Sequence, residues 1–165
     1  MNRKKWTRFL WIVLLIVWLA VIFVFSAQPA EESQGVSDGI CYKLAAFMSR
    51  LLGLNYRTQE LEWAAEWLSF PIRKAAHMTE YAVLALLVYR NIRLWKEHLP
   101  LHRCRIASWL AVVVCAALDE FHQLFVPGRC GTPKDVCIDA AGAAVALLLC
   151  YLQGRNKRSN ESGKK

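Results

Sequence analysis

FLWIVLLIVWLAVIFVF, residues 9 to 25, carries no charged side chain on any face. A surface helix of a soluble domain keeps a polar stripe at helical spacing. This stretch has none, which argues against a soluble bundle with greasy core helices. Three further apolar blocks follow: Ala75–Val88, interrupted by His77, Glu80 and Tyr81; Ile106–Leu118, extended through LDEFHQLFV to Val126; and Val136–Leu152, interrupted by Asp139. Hydrophobic residues make up 56% of the 165, above the roughly 45–50% of a soluble domain. A bilayer core about 30 Å thick needs about 20 helical residues, and each block reaches that length with its flanks. The expectation is an all-α membrane protein with four transmembrane helices at about 8–26, 72–91, 105–126 and 135–152. These form one domain over 1–152, followed by a disordered tail at 153–165. The first block is longer than the apolar core of a cleaved leader and lacks a clean small-x-small site, so it is expected to remain as a span.

Charge sets the expected orientation, because cytoplasmic loops are enriched in Lys and Arg. Fourteen of the 21 basic residues fall before the first block, between the second and third, or after the fourth, with Glu97 and Glu161 the two acids there. The other side holds seven basic and eleven acidic residues. Both termini are therefore expected in the cytoplasm, with the segment 27–71 as a long external loop. The net charge of +8 is then a topology signal with some attraction to anionic lipid, and it calls for no nucleic acid. Six cysteines are spread over both sides and the spans. A Cys41–Cys130 disulfide is open, since spacing cannot show one.

With this topology, polar residues from three spans meet at one depth on the outer side. Arg73, Lys74, His77, Glu80 and Tyr81 open the second span, and 73, 77, 80, 81 and 84 recur on one helical face. Asp119, Glu120, His122 and Gln123 close the third, with 119, 122 and 123 on one face and Glu120 about 100° away. Pro127-Gly128-Arg129 turns the chain, and Asp135, Asp139 and Gly142 line up on the fourth. Charged groups near bilayer depth are costly and commonly mark a site. Against that stand two plainer readings. Arg73, Lys74 and Lys134 could snorkel to the interface, and Asp135 could simply favour a helix N-terminus. DAAGAAVA, residues 139–146, offers small side chains for close helix approach, within the chain or across a homodimer formed through the fourth span.

The external loop is expected to begin as a polar coil, SAQPAEESQGVSDG. Two short amphipathic helices would follow. One has apolar residues at 40, 44, 47, 51 and 54, and one carries Trp63 and Trp67 four residues apart. Tryptophan favours the membrane interface. These helices would lie on the outer surface, as a lid over the cluster or as anchors. Pro71 would end that segment and start the second span.

For the chemistry, His77-x-x-Glu80 and Glu120-x-His122 offer nitrogen and oxygen ligands. No HExxH motif and no cysteine pair of finger spacing is present, so no metal and no cofactor is expected. Carboxylates beside His77 and His122 could serve as general acid and base. No G-x-S-x-G elbow occurs. Arg73, Lys74, His77, Arg129 and Lys134 could hold phosphate or carboxylate, with the acids orienting them.

RKAAHMTEYAVLAL, ALDEFHQLFVPGRCGTPKDVCIDAAGA and FSAQPAEES resemble the VanZ-like family of bacterial membrane proteins over roughly residues 25 to 143. Carried over position by position, the resemblance implies functional roles for Lys74, His77, Tyr81, Asp119, Glu120, Gln123, Arg129, Asp135, Asp139 and Gly142. Position 139 is often Asn in the family and is Asp here. The founding member is associated with low-level teicoplanin resistance. The resemblance therefore implies a bacterial inner-membrane protein with a cell-envelope role and a glycopeptide response, and no known reaction.

Two functions follow as expectations. One is binding of an anionic lipid-linked cell-wall precursor, or of the drug's target, by Arg73, Lys74, His77, Glu80, Tyr81, Asp119, Glu120, His122, Gln123, Arg129, Asp135 and Asp139. The other is an intramembrane hydrolase or transferase acting on such a precursor, with Asp119 or Glu120 as base and His77 as acid. A proton-coupled exporter is weaker, because the inner halves of the spans lack an ionisable relay.

Overall fold

The computed structural model describes residues 3–162, with side chains as far as residue 155. These residues form five α-helices and no strand: α1 (Arg3–Ser26), α2 (Ala30–Leu51), α3 (Thr58–Trp95), α4 (Leu101–Gln123) and α5 (Pro133–Ser162). Three of them, α1, α4 and α5 over Pro133–Arg155, are long and apolar enough to cross a membrane, so the chain has the make-up of a multi-pass membrane protein. On α1 only Ile22 and Ser26 are buried. Leu15 and Trp18 pack partly against the core, and most of the remaining apolar side chains of that helix are exposed, as on a helix solvated by lipid.

The longest helix sits in the middle. α3 packs against α1, α2, α4 and α5, which explains its mixed composition: a helix wrapped by others needs no apolar stripe facing outward. Its Tyr81, Leu84 and Ala85 join Ile22, Val112, Ala116, Ala143 and Leu147 in the core. Gly142 is where α3 and α5 meet backbone to backbone, since a Cβ there would fall 2.3 Å from the Met78 carbonyl oxygen. The small residues of DAAGAAVA thus turn Gly142 and Ala143 inward within the chain. α1 is tied to α3 by Trp18 Nε1 donating to Glu80 O (2.9 Å) and Asn91 Nδ2 donating to Trp11 O (3.0 Å).

Three expectations about the loop and the tail are corrected. SAQPAEESQGVSDG is not coil. α2 begins at Ala30, with Pro29 before it and Glu31 and Glu32 in its first turn, where carboxylates favour a helix. The second short helix is no separate element, because Pro71 lies inside the 38-residue α3. The Pro71 ring removes one helical hydrogen bond, but helix-favouring residues and packing on both sides carry the helix through. The tail, expected to be without structure, stays helical to Ser162; residues 163–165 lie outside the described residues.

α2 folds back on the first part of α3. Cys41, Ala45 and Ser49 face Ala65 and Ser69, all buried, and Ser69 Oγ donates to Asp38 Oδ1 at 2.8 Å. The apolar residues at 40, 44, 47, 51 and 54 are all exposed. The amphipathic pattern is therefore present, but its greasy face points away from the bundle and its small-residue face makes the contact.

At the end where α1 starts and α3 stops, Arg8 pairs with Glu97 (3.1 Å). There Arg8 also stacks on Trp95, Arg90 on Trp11 and Arg105 on Tyr151. At the other end, Ala30 N donates to Pro127 O (3.1 Å), joining the α1–α2 and α4–α5 connections.

Candidate functional site

The cavity that matters most lies at this second end. It encloses about 190 Å³ between the start of α2, the middle of α3, the end of α4 and the start of α5. Local sequence explains each wall. Thr132 caps α5, its Oγ1 accepting from Asp135 N at 3.2 Å, and Pro133 takes the first helical position, where no amide is needed. Gly128 has φ +72, and its open side meets Ala30; at Gly131 a Cβ would fall 2.1 Å from Glu120 O. The turn therefore closes tightly onto the ends of α2 and α4.

Eight expected residues line this cavity: Arg73, Lys74, His77, Glu120, Gln123, Arg129, Asp135 and Asp139. Lys74 Nζ pairs with Asp135 Oδ1 and lies over the Phe70 ring. Glu120 Oε2 accepts from Thr132 N at 2.8 Å. Arg129 is partly committed to the fold, since Nε donates to Gln28 O and Nη2 to Phe25 O, both at 3.1 Å. Burial pushes the Arg129 guanidinium below its ordinary value, and Asp119 acts in the opposite direction. Arg73 makes no hydrogen bond or ion pair with another described residue. Asp139 is 2% exposed, and its Oδ1 has no hydrogen-bond partner among the described residues.

The other four sit to one side. Tyr81, Asp119 and His122 line a shallower groove against α1, with Leu19, Ile22 and Phe23. His122 stacks on Phe23 at 4.9 Å between ring centres. The buried Tyr81 hydroxyl and His122 Nε2 lack hydrogen-bond partners among the described residues. Glu80 Oε2 lies 3.6 Å from His77 Nδ1. Gln123 links the two places, its Nε2 donating to Asp119 Oδ2 and to Ser26 Oγ, each at 3.2 Å. Of the acid–base trio, His77 and Glu120 thus share the cavity while Asp119 does not line it. Lys134 is exposed and does not line it either.

The expected lid is also corrected. Ala30, Ser33 and Phe70 border the cavity, whereas Trp63 and Trp67 pack edge-on at 5.9 Å and stay 65% and 70% exposed. Sequence reasoning missed Ser26, Ser33 and Thr132. Thr-Pro-x-Asp at 132–135 is a helix-start signal that identifies Thr132; nothing local marks Ser26 or Ser33. All six cysteines are free, Cys41 buried and Cys130 exposed.

The arrangement can hold an anion. One arginine is unengaged, one lysine and one arginine are held in place by the fold, and the N-terminal turns of α5 add their positive end. It can also offer a carboxyl group, Asp139, to a hydrogen-bonding group of the same ligand.

No curated protein and no solved structure matches the chain. The model of the VanZ/LLP1 family matches residues 11–154. That stretch contains every wall of the cavity and all of the core, and the chain belongs to the VanZ/LLP1 family.

Proposed function

We propose that this protein binds an anionic, lipid-linked cell-wall precursor or a glycopeptide target at the cavity, and so alters tolerance of glycopeptides such as teicoplanin. In this reading α3 supplies a fourth span between α1 and α4. Both termini lie in the cytoplasm of a bacterial cell, and the cavity opens at the outer face of the inner membrane. The distribution of Lys and Arg supports the orientation. The observation that carries the function is Arg73, facing the cavity without a side-chain partner among the described residues, beside the fold-held Lys74 and Arg129. Buried or half-buried arginine is well suited to fork onto phosphate.

The test is binding of a labelled undecaprenyl-phosphate-linked precursor to purified protein, wild type against Arg73→Ala. Loss of about tenfold or more in affinity is expected, in line with one charge-assisted contact. Unchanged affinity would sink the proposal. In a sensitive Gram-positive host, teicoplanin tolerance should rise with the wild type and not with Arg73→Ala at equal abundance.

A second reading, an intramembrane hydrolase or transferase on the same precursor, is favoured by His77 and Glu120 lining one cavity with the unpartnered Asp139. It requires a new product from the labelled precursor that Glu120→Gln does not make. Bound but unaltered precursor decides for the binding protein.

A further inference from the structure

A separate cavity of about 480 Å³ lies at the opposite end of the bundle, where α4 starts and α5 leaves the core. His102 and Arg105, one turn apart on α4, face Tyr151 and Arg155, one turn apart on α5. Tyr89 of α3 completes the wall, and no carboxylate lines it among the described residues. At Gly154 a Cβ would meet nothing within 4 Å, so this side is open. The Arg105 guanidinium is held over the Tyr151 ring, 4.7 Å from its centre.

Arg8 has Glu97 for a partner, whereas His102, Arg105 and Arg155 have neither a hydrogen bond nor an ion pair with another described residue. The first turn of α4 adds to the positive field, since Pro100 gives it no side-chain cap, and free amides at a helix start favour anions. Three basic side chains and a helix start converge on an open pocket to which the described residues bring no negative charge.

We propose that this pocket binds the phosphate of an anionic phospholipid headgroup. The surroundings select a lipid over a free phosphate: beyond the pocket Ile106 and Leu148 are 57% and 54% exposed, an apolar surface along which acyl chains can lie. They also favour an anionic lipid over a zwitterionic one, because the quaternary ammonium of a choline headgroup would meet arginine and, among the described residues, no carboxylate. Basic pockets between membrane helices commonly take such headgroups. The pocket shares no residue with the cavity at the other end, so this binding stands or fails independently of the function proposed above.

Native mass spectrometry of the full-length protein, released from micelles doped with phosphatidylglycerol or phosphatidylcholine, tests it. Wild type should retain phosphatidylglycerol about thirtyfold more than phosphatidylcholine, the scale expected for two arginines at a lipid surface. The double variant Arg105→Gln/Arg155→Gln should lose that preference. Arg155→Gln alone, at an exposed residue without a side-chain partner among the described residues, should weaken it without disturbing the fold. Equal retention of the two lipids by wild type, or an undiminished preference in the double variant, overturns the proposal. So does competition by glycerol 3-phosphate as effective as by the lipid, since that would make the ligand a free phosphate.

Discussion

Gly142 of α5 lies against the main chain of Met78 of α3, so closely that a Cβ would come within 2.3 Å of the Met78 carbonyl oxygen and 2.9 Å of its Cα. This contact sets the depth of the site. Asp139 lies one turn before Gly142 on α5, and His77 and Lys74 lie at and one turn before Met78 on α3. The approach at Gly142 therefore fixes how close the acidic wall stands to the basic one. Gly142→Ala must push backbone rather than a flexible side chain, and overpacking costs about 1–3 kcal/mol. The expected result is a clear drop in the thermal unfolding midpoint in detergent. Gly154→Ala, where a Cβ meets nothing within 4 Å, should show no drop and so serves as the control.

Arg129 and Arg73 both face the cavity, yet they should respond oppositely to removal. Arg129 donates to the carbonyls of Phe25 and Gln28, clamping the end of α1 to the α4–α5 turn. Hydrogen bonds from charged groups contribute about 1.5–3 kcal/mol each by mutation, less where water reaches them. Arg129→Ala should destabilise by about 1–3 kcal/mol on that basis, and Arg129→Lys should not restore both bonds, because a lysine lacks the fork. Arg73→Ala should leave the unfolding midpoint where it is and change ligand binding alone. A stable Arg129→Ala protein would show that the clamp is dispensable.

Asp139 presents the reverse case, a group whose loss should strengthen the fold. A buried carboxyl oxygen without a partner costs free energy, on the order of 1–3 kcal/mol from mutational data. Asp139→Leu should therefore raise the unfolding midpoint, while weakening ligand binding if the carboxyl contacts the ligand. A lowered midpoint would mean that Asp139 is structurally satisfied in the membrane.

How far the sequence could be read is clearest on α4. The residues 119, 122 and 123 share a helical face, and 120 lies about 100° away. Periodicity alone groups the first three. The fold divides them differently: Glu120 and Gln123 line the cavity, while Asp119 and His122 turn toward α1. Which face meets which neighbour depends on where α1 packs, and no local pattern on α4 encodes that. Pro71 misleads for a related reason. Proline is a boundary signal in a local reading, but α2 on one side and α4 and α5 on the other hold α3 continuous through it. α1, by contrast, was legible in full, because its environment is lipid and lipid asks only for apolar length. The convergence of Lys74, His77, Glu120, Arg129 and Asp135 was legible too, since helix direction alone brings those ends together.

Cysteine accessibility can test the orientation directly. Cys130 is exposed in the turn beside the cavity, while Cys104, at the opposite end, and Cys41, between α2 and α3, are buried. Burial pushes the Cys41 thiol up, and Asp38 adds to the effect. Little thiolate is then present at neutral pH, and the thiolate is the reactive form. A membrane-impermeant maleimide applied to intact cells should therefore modify Cys130 and leave Cys41 and Cys104 unmodified until the protein is unfolded. Arg103, exposed on α4 at the far end, supplies the opposite reporter. Cys137 is exposed near the same end as Cys130, so in a variant lacking both, Arg103→Cys should react only after the inner membrane is opened. If Arg103→Cys reacts in intact cells and Cys130 does not, the cavity faces the cytoplasm. The ligand would then have to be sought among cytoplasmic phosphates rather than in the envelope.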